Sequence, residues 1–219
     1  KYKKPSVVIG RDARISGNLV NNLVCSTLQM MGINVGDLGF STTPTVEVAV
    51  VKEKAHAGII LTASHNPKEW NALKLLNKKG EFISAKDGQT ILNTIKKGAI
   101  EYAPVEKLGT YRKDDTYITK HVNEVLALAL VNAENVKTKN FKVVVDCINS
   151  TGAIALPPLL EKMGCEVILL NEEMTGDFAH NPEPLPDHLR SLSKAVTESR
   201  AHLGISVDPD VDRLAFVCE

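Results

Sequence analysis

Two clusters of side chains in this chain have the types and spacing to do chemistry. The first is Thr62-Ala63-Ser64-His65-Asn66-Pro67, with Lys74 a short way downstream. Ser64 offers a hydroxyl nucleophile, and His65 can carry a proton near neutral pH. Asn66 can fix a loop by hydrogen bonds, Pro67 stiffens it, and Lys74 can neutralise a phosphate or exchange a proton. The second cluster is Asp208-Pro209-Asp210-Val211-Asp212-Arg213. If that loop is extended, the three alternate carboxylates point the same way. Together they repel one another unless a cation sits among them. An all-carboxylate oxygen set suits Mg²⁺ or Ca²⁺ rather than zinc. Mg²⁺ takes substrate phosphate oxygens as further ligands, which points to phosphoryl transfer. Ser64 can supply the missing nucleophile. A phosphoserine carries about −1.5 to −2 charge at neutral pH, so it calls for a metal or basic partners.

Other readings stand beside this one. Asp208, Asp210 and Asp212, with Glu219 at the twelfth position, imitate an EF-hand loop. The position that needs glycine for the sharp turn is Arg213, however, and the flanks read as strands rather than helices. A plain solvated acidic turn is the bland alternative, with two apolar flanks and Arg213 against it. Ser64 alone could be a turn residue or a helix cap. A serine hydrolase would need a base, an orienting acid and usually a G-x-S-x-G elbow, which Thr62–Asn66 lacks.

The elements that must position these loops alternate along the chain. Short Val- and Ile-rich runs are separated by longer amphipathic segments. Strands are expected at 6–10, 33–39, 57–62 and 71–77, and helices at 16–32, 43–54 and 84–98. Ser16 is a possible N-cap and Gly32 a C-terminal stop. Residues 101–115 read as a connection, 114–131 as a helix, and 131–140 as a boundary. A second series follows: strand 141–147, helix 152–164, strand 165–171, a proline-rich loop at 180–186, helix 187–200, strand 202–207. The fold class is α/β, with two similar βαβ-type domains whose mixed, mostly parallel sheets are sandwiched by helices. The halves share local patterns: Met-Gly passes from helix to strand in both, and Gly58-Ile59 and Gly204-Ile205 both begin apolar runs ending in a polar loop. A duplicated domain is therefore expected, spanning 1–136 and 137–219. Both polar loops follow strands, where open parallel sheets bind their ligands.

Composition narrows the classes. Of 219 residues, 43% are hydrophobic and 24% charged, ordinary for a globular protein. Lys+Arg and Asp+Glu both total 26, which argues against a nucleic-acid partner. No apolar run approaches the roughly 20 residues that cross a bilayer, so no membrane partner is expected. Cys25, Cys147, Cys165 and Cys218 form no C-x-x-C pair; buried free thiols and a reducing compartment are expected.

With those residues in hand, Thr62–Pro67 with Lys74, and Asp208–Arg213 after a Gly-Ile strand, resemble the α-D-phosphohexomutase superfamily. Gly10–Arg14 and His180–Pro184 are similar to that family too. The resemblance implies phosphoglucomutase, phosphomannomutase or phosphoglucosamine mutase chemistry. Ser64 would be the phosphoserine, passing its phosphoryl group to a hexose monophosphate and recovering the opposite phosphate from the bound bisphosphate. Asp208, Asp210, Asp212 and the Ser64 phosphate oxygen would hold Mg²⁺. His65 and Lys74 would transfer protons and stabilise charge, Arg213 would support the phosphoserine or metal loop, and Arg11 would orient the site. A cytoplasmic location follows from that substrate class and the unpaired cysteines.

The chain departs from the family pattern in three ways. Pro209 stands where glycine is common between the first two aspartates. The Thr-Ser-Gly-x-Arg-Gly loop that normally opens the family is absent. So are the later sugar-recognition and distal phosphate-binding loops. The resemblance therefore implies an N-terminal fragment, partnered in the intact protein by missing C-terminal domains, with the sugar unread. A non-catalytic metal- or sugar-phosphate-binding module is the alternative.

Overall fold

A computed structural model describes residues 4–98 and 100–218; the Glu219 of the EF-hand alternative lies outside them. β1 (Ser6–Arg11) starts the first sheet, and α1 (Gly17–Met30) returns the chain to β2 (Asn34–Phe40). Ser16 does not cap α1: its Oγ accepts from Asn71 Nδ2 at 3.0 Å and so ties the helix start to the serine loop. α2 (Thr43–Lys52) is capped instead by the Thr42 hydroxyl, which accepts from the Thr45 N–H at 3.1 Å. β3 (Ala57–Leu61) lies parallel to β1, and β4 (Leu73–Leu76) folds back antiparallel on β3. α3 (Ala85–Lys96) begins in a capping box of Ser84 and Asp87.

The expected connection at 101–115 contains a strand, β5 (Tyr111–Lys113), parallel to β2 at the sheet edge. All three of its residues are exposed, so it has no apolar alternation to betray it. α4 (Tyr117–Leu126) stops short of the expected 131, and Leu128 and Leu130 beyond it stay exposed, so little burial rewards its continuation. A short α5 (Ala133–Lys137) lies within the expected boundary. The second sheet is built from β6 (Lys142–Asp146), α6 (Gly152–Lys162), β7 (Glu166–Leu170), α7 (Arg190–Ser199), β8 (Leu203–Val207) and antiparallel β9 (Leu214–Val217).

The two sheets have orders β4-β3-β1-β2-β5 and β7-β6-β8-β9. Read from the antiparallel edge, β4-β3-β1-β2 matches β9-β8-β6-β7, the shared order that a duplication requires. The matching strands also meet their helices alike. A methyl group on Gly58 would come within 2.5 Å of Val50 Cγ2, and one on Gly204 within 2.8 Å of Val196 Cγ2. Only glycine lets α2 and α7 sit this close to β3 and β8. In the first half, Val8, Ile60 and Leu76 pack with Val46 and Val50 of α2. On the other face, Ile9 and Leu61 pack with Cys25, Val20 and Val24 of α1. The second half repeats this, with α6 over Val143, Val145 and Ile205 and α7 over Val144. Each such aliphatic side chain contributes about 1.5–3 kcal/mol on full burial. The serine loop thus leaves the end of β3, and the aspartate loop leaves the equivalent end of β8.

All four cysteines are free. Cys25 and Cys147 are buried as expected, and burial pushes both thiols up to about 12. Cys218 is exposed, against that expectation, because it follows the edge strand β9. Among the described residues no helix is long and apolar enough to cross a membrane.

Candidate active site

β3 ends at Leu61, and Ser64 takes a left-handed backbone, φ +51°. A side chain there is strained by about 1–3 kcal/mol, so its surroundings must impose it. They do so through Arg14, a guanidinium only 1% exposed. Its nitrogens donate to the carbonyl oxygens of Ser64 and Asn66 at 2.7 Å each, of Pro67 at 2.7 Å and of Trp70 at 2.8 Å. Its Nε donates to Asp12 Oδ2 at 3.0 Å. Thr62 completes the knot, its hydroxyl donating to Asp12 at 2.7 Å and accepting from the Ser64 N–H at 2.9 Å. Burial pushes Asp12 up to about 6, opposed by Arg14 and Thr62.

The aspartate loop is not extended. The Val211 N–H donates to the Asp208 carbonyl at 3.1 Å, making a turn with Pro209 at its corner, where proline's fixed φ is suited. Val211 is left-handed at φ +60°. The carboxylates converge because β8 must reverse directly into β9, not because of strand alternation. Asp208 Oδ1 accepts from the backbone N–H groups of Asp212 and Arg213, both at 3.1 Å. The Pro209 carbonyl accepts from the hydroxyls of Ser150 at 2.7 Å and Thr151 at 2.8 Å, beside the start of α6.

The two loops meet. Ser64 Oγ donates to Asp208 Oδ2 at 3.0 Å, and His65 Nδ1 lies 3.4 Å from the same hydroxyl. Lys74 on β4 reaches Asp210 Oδ2 at 2.6 Å and Asp212 Oδ2 at 2.7 Å. Thr43, at the start of α2, binds Asp210 through its hydroxyl, and its N–H donates to the Asp210 carbonyl at 2.8 Å. Arg213 Nη1 donates to Glu183 Oε1 at 3.2 Å, and His65 Nε2 faces that same oxygen at 3.9 Å. Arg11 stands apart. Its guanidinium stacks 4.0 Å over the Phe40 ring and lines a cavity of about 630 Å³ with Asp37, Tyr111 and Lys113.

The electrostatics show a surplus of negative charge. Burial first, then the charges of Asp210 and Asp212, push Asp208 up to about 8. Burial pulls the Lys74 ammonium down, but Asp210 and Asp212 hold it above its ordinary value. One carboxylate oxygen from each aspartate lies within 4.8 Å of the others. Asp210 Oδ1 is buried without a hydrogen-bond partner among the described residues. Three carboxylates against one ammonium, with a buried oxygen left over, fit a hard divalent cation.

Six of the eight site residues expected from the sequence thus gather here: Ser64, His65, Lys74, Asp208, Asp210 and Asp212 around the two loops. Arg213 lies at the edge, and Arg11 lies in the neighbouring cavity. Sequence reasoning missed Arg14, Thr43 and Glu183. Gly10–Arg14 carries two arginines, and nothing in the spacing says which turns inward. Thr43 was absorbed by its helix-start reading, and Glu183 by a proline-rich loop.

Comparison with known proteins gives a consistent result. Residues 1–101 match the family model for the phosphoglucomutase/phosphomannomutase α/β/α domain I, and residues 115–219 match that for domain II. A probable phosphoglucosamine mutase from Methanopyrus kandleri is 36% identical over 215 residues, 98% of this chain and 46% of that protein. A phosphoglucomutase/phosphomannomutase from Thermococcus kodakarensis is 34% identical over 218 residues, covering 99% and 47%. The crystal structure of a phosphoglucomutase/phosphomannomutase family protein from Burkholderia thailandensis superposes with a TM-score of 0.80 at 25% identity, covering 98% and 46%. The chain spans about half the length of the curated relatives it matches.

Proposed function

The chain belongs to the phosphoglucomutase/phosphomannomutase family, and on that premise we propose that it is the catalytic-serine and metal-binding half of a phosphohexomutase. The intact protein would interconvert hexose 1-phosphate and hexose 6-phosphate, or the hexosamine equivalents, through a phosphoserine at Ser64. Relatives bear both phosphoglucosamine mutase and phosphoglucomutase/phosphomannomutase names, so the reading takes in both sugar classes. The observation that carries it is the 3.0 Å contact between Ser64 Oγ and Asp208, inside the aspartate cluster.

In this reading the free hydroxyl of a bound hexose monophosphate attacks the Ser64 phosphorus. The sugar O–P bond forms, the Oγ–P bond breaks, and a bisphosphate results. The opposite phosphate then returns to Ser64 by the reverse step. Asp208, Asp210 and Asp212 would hold Mg²⁺ together with a phosphoserine oxygen. Bound there, Mg²⁺ would neutralise charge on the moving phosphoryl group. Lys74 keeps its ammonium beside Asp210 and Asp212, within reach of that region, and His65 presents Nδ1 to the serine oxygen for proton transfer. The free thiols suit a reducing compartment such as the cytoplasm.

The test is phosphoryl labelling of the full-length protein with a sugar 1,6-bisphosphate. Label is expected on Ser64 in the wild type and absent in Ser64→Ala. Label retained by the alanine variant would refute the assignment.

A further inference from the structure

An aspartate that binds a hard cation offers it one of two oxygens, and the partners given to the other oxygen decide which. Two of the three carboxylates in the cluster show this sorting. At Asp208, Oδ1 accepts from the backbone N–H groups of Asp212 and Arg213 at 3.1 Å each, and Oδ2 turns to the Ser64 hydroxyl at 3.0 Å. At Asp210, Oδ2 accepts from Lys74 Nζ at 2.6 Å and from the Thr43 hydroxyl. An ionised carboxylate has about four lone-pair positions, half on each oxygen, so these donors fill Oδ2. Oδ1 is left buried with no partner among the described residues.

The two donors on Asp210 are unequal. Lys74 carries its ammonium on a flexible stem and also serves Asp212 Oδ2 at 2.7 Å. Thr43 is a short, stiff side chain, buried at the first position of α2. Its backbone N–H is one of the helix-start donors with no partner inside the helix, and it donates to the Asp210 carbonyl at 2.8 Å. The helix start is fixed from its own half as well. The Ser41 N–H donates to the Arg11 carbonyl at 2.8 Å, and Thr42 caps the first turn. Thr43 thus grips one aspartate at two points, from the half that does not carry it.

We propose that Thr43 is a positioning residue for the cation: from the first half of the molecule it fixes the rotation of the Asp210 carboxylate, so that Oδ1 is the oxygen offered to Mg²⁺. The inference rests on the aspartate cluster as the Mg²⁺ site, and not on which group Ser64 carries. It makes cation affinity a property of both halves together, since the three carboxylates belong to the second half and the constraint to the first. Without the Thr43 hydroxyl the carboxylate is free to turn, and its two oxygens compete for Lys74 and the cation.

Isothermal titration calorimetry with Mg²⁺ alone, on full-length protein first stripped with chelator, measures the dissociation constant. The wild type is compared with Thr43→Val, Thr43→Ala and Thr43→Ser. Valine keeps the shape and the backbone N–H and removes the hydroxyl; alanine removes it without leaving a methyl group against Asp210. Both are expected to bind Mg²⁺ about tenfold more weakly, the lower end of what losing a group that orients a metal ligand costs. Thr43→Ser, which keeps the hydroxyl, is expected within about twofold of the wild type. Melting temperatures in chelator report the metal-free fold separately. Variants that melt lower in chelator yet bind Mg²⁺ as tightly as the wild type would show a purely structural role and overturn the proposal. A loss in Thr43→Ser as large as in Thr43→Val would overturn it too. A wild type that binds no Mg²⁺ would end both this inference and the metal reading, whereas phosphoryl labelling of Ser64 decides the mutase reading on its own.

Discussion

The Ser64 carbonyl oxygen lies 2.7 Å from an Arg14 guanidinium nitrogen that solvent does not reach. The proposed nucleophile is thus held through its backbone carbonyl rather than through its hydroxyl. Four carbonyls and one carboxylate converge on that single side chain, which also faces the Phe178 ring of the second half at 5.1 Å.

Arg14→Lys should therefore destabilise the protein by about 3–5 kcal/mol, because an ammonium cannot satisfy this fork and Asp12 is left with a poor partner. Denaturant melts of the two proteins would show it. The double variant with Asp12→Asn should lose less than the sum of the single losses, since the two share one network. Additive losses would mean that the pair does not act as a unit.

The strain at Ser64 gives a second expectation. Glycine adopts φ +51° freely and alanine does not. Ser64→Gly should be more stable than Ser64→Ala by about 0.5–1 kcal/mol, a reversal of the usual order. Neither variant should accept phosphate. Equal melting temperatures would show that the backbone here relaxes once the hydroxyl is gone.

The Mg²⁺ proposed for the aspartate cluster gives a third expectation, because without a cation the carboxylates crowd one another. Mg²⁺ at 100 times its dissociation constant should stabilise the protein by about 2.7 kcal/mol, and chelation should reverse this. Asp210→Asn, which neutralises the carboxylate with the buried unpaired oxygen, should abolish most of that increment. A thermal shift in Asp210→Asn as large as in the wild type would place the ion elsewhere.

The His180–Asp146 contact supplies a pH dependence. The hydrogen bond to Asp146 raises His180 above its ordinary 6.5. Burial works to raise Asp146, but hydrogen bonds from His180 and Asn171 hold it below its ordinary 3.8. A raised histidine stabilises fully below its unfolded pKa and loses this as pH climbs through the folded value. A lowered aspartate stabilises above its unfolded pKa and loses this as pH falls. The contact is therefore strongest from about pH 4 to about pH 6.5. The stability gap between wild type and His180→Gln should be on the order of 1 kcal/mol near pH 5.5 and shrink near pH 8.5. A gap that widens with pH would contradict this assignment of charges.

A fifth expectation concerns this chain by itself. It spans about half of its relatives, and the loops by which the family is expected to grip the sugar are not among its residues. Assayed beside the full-length protein, it should turn over hexose phosphates at a negligible rate. Comparable turnover would show that the two halves described here suffice.

Most of the architecture was legible because it rests on apolar periodicity. Val7-Val8-Ile9, Ile59-Ile60-Leu61 and Val143-Val144-Val145 announce themselves as buried strands, and the shared Gly-Ile signature announces the repeat. β5 was not legible, since Tyr111, Arg112 and Lys113 gain their place from backbone pairing to β2 alone. The site divides the same way. Ser64 and the three aspartates stand in short clusters, so type and spacing identify them. Arg14, Thr43 and Glu183 act across sequence separations that only the folded chain closes, and each has an ordinary local reading. The extended aspartate loop was a reasonable expectation that the tight β8–β9 reversal overrules.

The repeated architecture has a kinetic corollary. Ser64 and the acidic trio sit on separate copies of one building block, so their separation is set by how the copies are docked rather than by either copy's interior. A slight rocking at this seam would part the serine from the three aspartates without unfolding anything. Rigid-body motion alone would thus open the Ser64–Asp208 contact while each block remains as stable as before.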